Sequence, residues 1–174
     1  MAHSIEIVFD EQTDATIGRQ WDALAAAGLP SQGNIRSASN RPHVTLIAAD
    51  SLDPDIDHDL AGLADVVGME VNVGALLLFR GKRATAARLV VPSTELLALH
   101  RQIFDLAAPH IGGQPLTHIA PGSWTAHITL ARRLTDDQIG LLMTTLDHNP
   151  EMFSAKVSGL RRWNGDSREE FYLL

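Results

Sequence analysis

Apolar residues recur along this chain in two periods, and stretches of one period alternate with stretches of the other. Ile17, Trp21 and Leu24 follow helical spacing, and Gly28-Leu29-Pro30 supplies a stop. Ile56, Leu60, Leu63, Ala64 and Val67 fall on one helical face, with Asp53 placed to cap, Pro54 suited to the first turn and Gly68 at the end. A third helix carries Leu96, Leu99, Ile103, Phe104 and Ala107, with Ser93 as its cap and Pro109 beyond it. The fourth opens with Thr135-Asp136-Asp137-Gln138, a capping-box pattern, and continues through Ile139, Leu142, Met143 and Leu146.

Strand-like runs separate these helices. Residues 4–9 alternate Ile5, Ile7 and Phe9 against Glu6 and Val8. Residues 43–48 and 127–131 are short and apolar apart from His and Thr. Residues 71–79 and 86–91 predict a hairpin across Arg80-Gly81-Lys82-Arg83. Residues 155–162 and 169–173 flank the turn signal Asn164-Gly165-Asp166. Two long irregular stretches, 29–41 and 109–123, precede the two strands that begin with His. The order strand, helix, His strand, helix, strand occurs twice, over residues 4–79 and again over 85–163, as in a duplicated unit.

Composition narrows the classes. The length of 174 residues, with 45% hydrophobic and 20% charged, fits one packed domain spanning 1–174. Cysteine is absent, which removes disulfides, thiolate catalysis and thiolate metal sites together. The N-terminal residues lack the pattern of a signal peptide, and no apolar run reaches the length of a membrane span. These features predict a cytoplasmic monomer with no membrane partner. A net charge of −7 argues against a long nucleic-acid footprint but leaves room for a small phosphate site lined by a few cations.

The chemistry is concentrated in two tetrapeptides, His43-Val44-Thr45-Leu46 and His127-Ile128-Thr129-Leu130. With eight His and eleven Thr in the chain, chance supplies about 0.1 motifs of this form. Side chains alternate along a strand, so His43 and Thr45 share one face, and His127 and Thr129 share another. Val44, Leu46, Ile128 and Leu130 enter the core. If a pseudo-twofold axis relates the halves, both polar pairs meet at one cleft. There a neutral His takes a proton, a charged His gives one, and each Thr hydroxyl donates to a phosphoryl oxygen. In-line displacement at a phosphodiester needs that arrangement and no cofactor. A metal site competes with this reading, but the chain has no His-Glu-x-x-His, and Asp50 after His43 is matched by Leu134 after His127. A binding module that keeps the cleft without turnover is the other alternative.

Two His-x-Thr-x motifs on strands, about eighty residues apart in a chain of this size, resemble the 2H phosphoesterase superfamily. That group includes the 2′-5′ RNA ligase-like and RNA cyclic phosphodiesterase proteins. The resemblance implies a two-lobed α+β fold, with antiparallel sheets lining a central cleft and helices outside. It also implies metal-independent hydrolysis of 2′,3′-cyclic phosphates or related ribose phosphodiesters, on a small nucleotide or an RNA end. By position, His43 and His127 correspond to the acid–base pair, and Thr45 and Thr129 to the phosphate-holding hydroxyls. Arg132 continues the second motif as an arginine often does in the family, whereas the first motif continues Ile47-Ala48.

Further candidates surround the motifs. Arg132 has the parity of the core-facing residues, yet at a strand end it can reach solvent or phosphate; Arg41, two before His43, is a second phosphate candidate. Phe79 and Trp124 are candidates for base stacking, each set against a packing role, and Trp163 is a weaker one. Arg80, Lys82 and Arg83 read as a solvated turn or as the basic rim of a cleft. His3, His58, His100, His110, His118 and His148 are assigned surface or structural places.

Overall fold

Alternation and capping build the elements much as their sequence predicts. The computed structural model describes residues 2–115, 117–147 and 151–174. Strand β1 (His3–Phe9) leads into helix α1 (Glu11–Ala26), where the Asp10 carboxylate accepts from the Thr13 N–H at 2.9 Å. Gly28, at φ 76°, ends α1 by allowing the Leu29 N–H to reach back to the Leu24 carbonyl at 3.0 Å. Strand β2 (His43–Leu52) carries the first motif.

The second predicted helix is interrupted. Helix α2 (Ile56–Leu60) is one turn long, and a separate 3-10 turn follows at Ala64–Val66. Gly62 weakens the interior, Leu63 leaves helical geometry at φ −90°, ψ 43°, and Val67 emerges 47% exposed rather than on a buried face. Asp53 accepts from the Asp55 N–H and forms a turn ahead of the helix. Strand β3 (Glu70–Phe79) and strand β4 (Ala84–Val90) form the expected hairpin. Helix α3 (Thr94–Ala107) starts at the Ser93 cap, whose hydroxyl accepts from the Leu96 N–H at 3.1 Å.

The stretch predicted as irregular after Pro109 contains a fifth strand, β5 (Ile111–Pro115), paired with β2. Its sequence hides it because glycines replace the alternating apolar residues. A Cβ on Gly112 would collide with Ser51 Oγ, and Gly113 takes φ 82°. Strand β6 (His127–Leu134) carries the second motif. Helix α4 (Asp136–Leu146) begins at a capping box in which Gln138 accepts from the Thr135 N–H. Strands β7 (Phe153–Asn164) and β8 (Glu169–Tyr172) close the chain as a hairpin. His148, assigned a surface or structural place, lies outside the described residues.

All pairings are antiparallel, in the order β5-β2-β1-β7-β3-β4-β6, with β8 on β7. The duplicated order is visible here. β1 lies between its motif strand β2 and β7, and β4 lies between its motif strand β6 and β3. Each repeat has therefore given its third strand to the other half. β7 is long enough to serve both halves, pairing β3 through its first residues and β1 through the rest. The helices are exchanged too: α1 packs against β6 and α4, and α3 against β2 and α2. β2 and β6 do not hydrogen-bond to each other, yet they approach within 8 Å between Cα atoms, which brings the two motif strands together where the halves meet.

Ile5, Ile7, Phe9, Ile17, Leu24, Leu46, Leu96, Ile103, Ile128 and Leu130 are fully buried in one continuous core. The exchange of helices is fixed by a polar contact as well. The buried Trp21 indole N–H on α1 donates to the Thr129 carbonyl at 3.0 Å. Trp21→Phe keeps most of the ring in place but leaves that carbonyl without its donor. The expected cost is about 1–3 kcal/mol, read as lowered thermal and denaturant midpoints; unchanged midpoints would show that this bond does not help hold α1 to β6.

Candidate active site

Both motif strands show the same departure from regular pairing. In β2, Thr45 faces Glu6 while Ile47 faces Ile5; in β6, Thr129 faces Ala87 while Ala131 faces Ala86. Each motif strand thus carries one extra residue directly after its Thr, a bulge that reverses the alternation beyond it. In β6 the reversal explains Arg132. Strict alternation from Leu130 directs it into the core, yet it is exposed, and its charge is felt at His127. Arg133 follows at φ 62°, within a second register shift that precedes the last pair, Leu134 with Ala84.

The imidazoles are held in the same way. His43 Nδ1 lies 2.8 Å from the Arg41 carbonyl, and His127 Nδ1 lies 2.7 Å from the Thr125 carbonyl. A carbonyl only accepts, so in each ring Nδ1 carries the proton and Nε2 is left as the nitrogen that exchanges one. The Thr carbonyls are matched as well. Trp21 donates to Thr129, and Trp124 donates to Thr45 at 2.9 Å. Thr45 is half-buried and Thr129 buried, each on the face of its His.

The surroundings of the two rings differ. Beside His43 lies Glu6, buried on β1, with Oε1 3.7 Å from Nε2. Glu6 also accepts from Ser4 at 2.6 Å and pairs with Arg161 at 2.8 Å. Burial raises the Glu6 carboxyl, but the neighbouring charges of His43 and Arg161 outweigh it and hold the group below its ordinary value. Arg161 itself is buried and bridges Glu6, Glu170 at 2.6 Å and the Ser39 carbonyl. Beside His127, among the described residues, there is no such carboxylate. The Phe79 ring packs against it at 4.6 Å, tilted by 54°. Burial pushes His127 below the usual histidine range. The Thr125 carbonyl opposes that shift, and the charges of Arg132, His43 and His118 add to it.

The remaining sequence candidates divide. The Arg41 guanidinium is engaged by Asp14 at 2.7 Å and by the Phe9 carbonyl, and what it offers the site is its own carbonyl beneath His43. Trp124 is stacked on His100 at 3.9 Å, parallel within 1°, and anchored through its N–H, so one face of the ring is already covered. Arg162, next to Trp163 in sequence, binds Asp57 through two hydrogen bonds, and its guanidinium lies over the Phe171 ring. His3 pairs with Asp166 and His110 with Asp59; His58 lies within α2 and His118 is exposed. Sequence patterns do not single out Glu6 or Arg161. The only signal is a carboxylate inside an otherwise apolar strand and an Arg pair inside another. Among the described residues, no three His, Asp or Glu side chains are grouped as a metal ion would need.

With this geometry in place, known proteins can be set beside it. No curated protein sequence matches the chain. Among solved structures, Usb1 of Kluyveromyces marxianus is similar over 99% of this chain and 97% of its own, with a TM-score of 0.57 and 11% identity. A protein described as a phosphoesterase aligns over 98% and 93%, with a TM-score of 0.55 and 16% identity. E. coli LigT, solved in complex with 3′-AMP, aligns over 98% and 91%, with a TM-score of 0.52 and 14% identity. These likenesses show a shared α+β fold. The profile of the 2′-5′ RNA ligase superfamily matches residues 13–169, a span containing both His-x-Thr strands and every helix but the first two residues of α1, and the chain belongs to that superfamily, among the 2H phosphoesterases.

Proposed function

We propose that this protein hydrolyses a 2′,3′-cyclic phosphate, or a closely related ribose phosphodiester, by acid–base catalysis between His43 and His127, without a metal. The observation that carries the reading is the matched pair of Nδ1–carbonyl hydrogen bonds, which prepares both Nε2 atoms for proton transfer. The Thr45 and Thr129 hydroxyls and the Arg132 guanidinium hold the phosphoryl oxygens. The nucleotide in the LigT complex supports a ribose-phosphate ligand of this size.

The unequal surroundings of the rings divide the labour. Burial and neighbouring cations favour neutral His127, so it acts as the base. Glu6, ionised and 3.7 Å from Nε2, is a counter-ion for a His43 imidazolium, so His43 acts as the acid. His127 Nε2 takes a proton from water as the water oxygen bonds to phosphorus. The bond from phosphorus to one ribose oxygen breaks, and His43 Nε2–H protonates that oxygen. The product is a phosphomonoester beside a free hydroxyl, and solvent returns both imidazoles to their starting states.

Rates on a 2′,3′-cyclic nucleotide test this. Activity should survive EDTA, His43→Ala or His127→Ala should cost about 10²–10⁴-fold, and Thr45→Val or Thr129→Val about 10–150-fold in kcat/KM. The rate should rise with pH as His127 loses its proton, at a value that burial holds below the ordinary 6.5. Glu6→Gln removes the carboxylate 3.7 Å from His43 Nε2 and should lower kcat/KM while that rising limb stays in place. An unchanged kcat/KM in Glu6→Gln would remove the ground for His43 as the acid, and chelator-sensitive activity restored by a divalent ion would replace the mechanism with a metal-dependent one.

A further inference from the structure

The two halves differ in what stands beside each motif Thr. Across the sheet from Thr129 is Ala87, whereas across from Thr45 is Glu6. Glu6 is in turn the cross-strand partner of Arg161, and Arg161 that of Tyr172. Paired residues share a face of the sheet, so this row lies on the face of His43 and Thr45. Glu6 is 5% exposed and Arg161 3%. Charges withdrawn from water to that extent are costly, and the geometry between them has to offset the cost.

That geometry is a clamp. A carboxylate has about four lone-pair directions, and three donors hold this one. The Ser4 hydroxyl donates to Oε1 at 2.6 Å, and Arg161 donates to Oε2 from Nε at 2.9 Å and from Nη2 at 2.8 Å. Held in this way, Oε1 stops 3.7 Å from His43 Nε2, outside hydrogen-bond range. A neutral imidazole has one N–H, and the Arg41 carbonyl keeps it on Nδ1. An unclamped carboxylate, about 1 Å closer, would compete for that proton at Nε2 and occupy the nitrogen that exchanges protons with the substrate. The remaining Arg161 nitrogen works on the other side of the ring. Nη1 donates to the Ser39 carbonyl at 2.9 Å and to Glu170 of β8 at 2.6 Å. Ser39 lies two residues before Arg41.

We infer that Arg161 is a positioning residue for His43: it keeps Glu6 near enough to face an imidazolium with its charge, yet too far to take the Nε2 proton, and it braces the segment that carries the Nδ1 acceptor. Ser4 completes the clamp on Glu6, and Glu170 holds the guanidinium from β8. The inference rests on the reading of His43 as the acid and adds what keeps its proton available to the substrate. Ala87, in the place matching Glu6, gives His127 no carboxylate to restrain.

Arg161→Lys tests the clamp. It keeps the charge, but one ammonium cannot give Glu6 two parallel bonds and also reach Ser39 and Glu170. Above the titration range, proton–nitrogen NMR should show a substantial Nε2–H population at His43 in this variant, against Nδ1–H in the wild type, while His127 keeps Nδ1–H. On a 2′,3′-cyclic nucleotide kcat should fall about tenfold, a fraction of the roughly 10²–10⁴ that an acid supplies, with KM changed less than about twofold. Adding Glu6→Gln to Arg161→Lys should return His43 to Nδ1–H, because the group that captures the proton has lost its charge. Ser4→Ala leaves every charge in place and should move the His43 tautomer in the same direction, so it reads the clamp even if Arg161→Lys does not fold. Nδ1–H at His43 in both single variants, or a tautomer change that persists in the double variant, would overturn the inference. If the wild type does not turn over the cyclic nucleotide, the hydrolytic reading fails, and the NMR still decides whether Arg161 and Ser4 restrain Glu6.

Discussion

Each motif strand is held from behind by the helix of the other repeat, and the site depends on that exchange. α1 supports β6 and α3 supports β2, while β3 and β7 have also changed halves. Neither repeat can bury its own apolar face alone, so the two must assemble together, and assembly brings the His-x-Thr strands side by side. The indole N–H groups of Trp21 and Trp124 make the same support specific, because each donates to the carbonyl of a motif Thr. Bulges after Thr45 and Thr129 then turn the strands so that the residues beyond each motif change face. The geometry of the candidate site is a consequence of packing between repeats.

Near-symmetry in the backbone is broken by charge. One ring faces the buried Glu6–Arg161 pair, and the other faces an apolar ring and a wall without carboxylates. A buried ion pair adds little net stability, but removing one partner is costly, so such pairs are better suited to fixing an arrangement. Glu6 also links folding to pH. Its carboxyl is held below its unfolded value near 4.5, so its contribution to stability is present above that pH and is lost as pH falls through the lowered folded value. The cationic turn and strand end on the opposite half extend the asymmetry away from the two imidazoles.

Much of this was legible in the sequence because it is local. Caps at Ser93 and Thr135 mark helix starts, the Arg80–Arg83 turn marks a hairpin, and the two motifs mark one face each of their strands. What was hidden depends on tertiary partners. β5 is a strand because β2 offers it an edge, although Gly112 and Gly113 erase its alternation. α2 stops after one turn because Gly62 and the non-helical Leu63 redirect the chain, although the apolar spacing continues. A bulge moves Arg132 across the sheet, and periodicity cannot register a bulge. Glu6 and Arg161 are far apart in sequence and meet only through β1–β7 pairing. Trp124 was weighed for the site, yet its stacking on His100 and its bond to Thr45 give it a supporting place.

The central proposal is that two imidazoles, each fixed through Nδ1 in the same way, present Nε2 to one phosphate. Proton–nitrogen NMR of the His43 and His127 rings tests it most directly, before and during titration with inorganic phosphate. Above their titration range both rings should carry the proton on Nδ1, and the Nε2 signals of both should move together along one binding curve. A ring with its proton on Nε2, or a phosphate response confined to one of the two, would contradict the account.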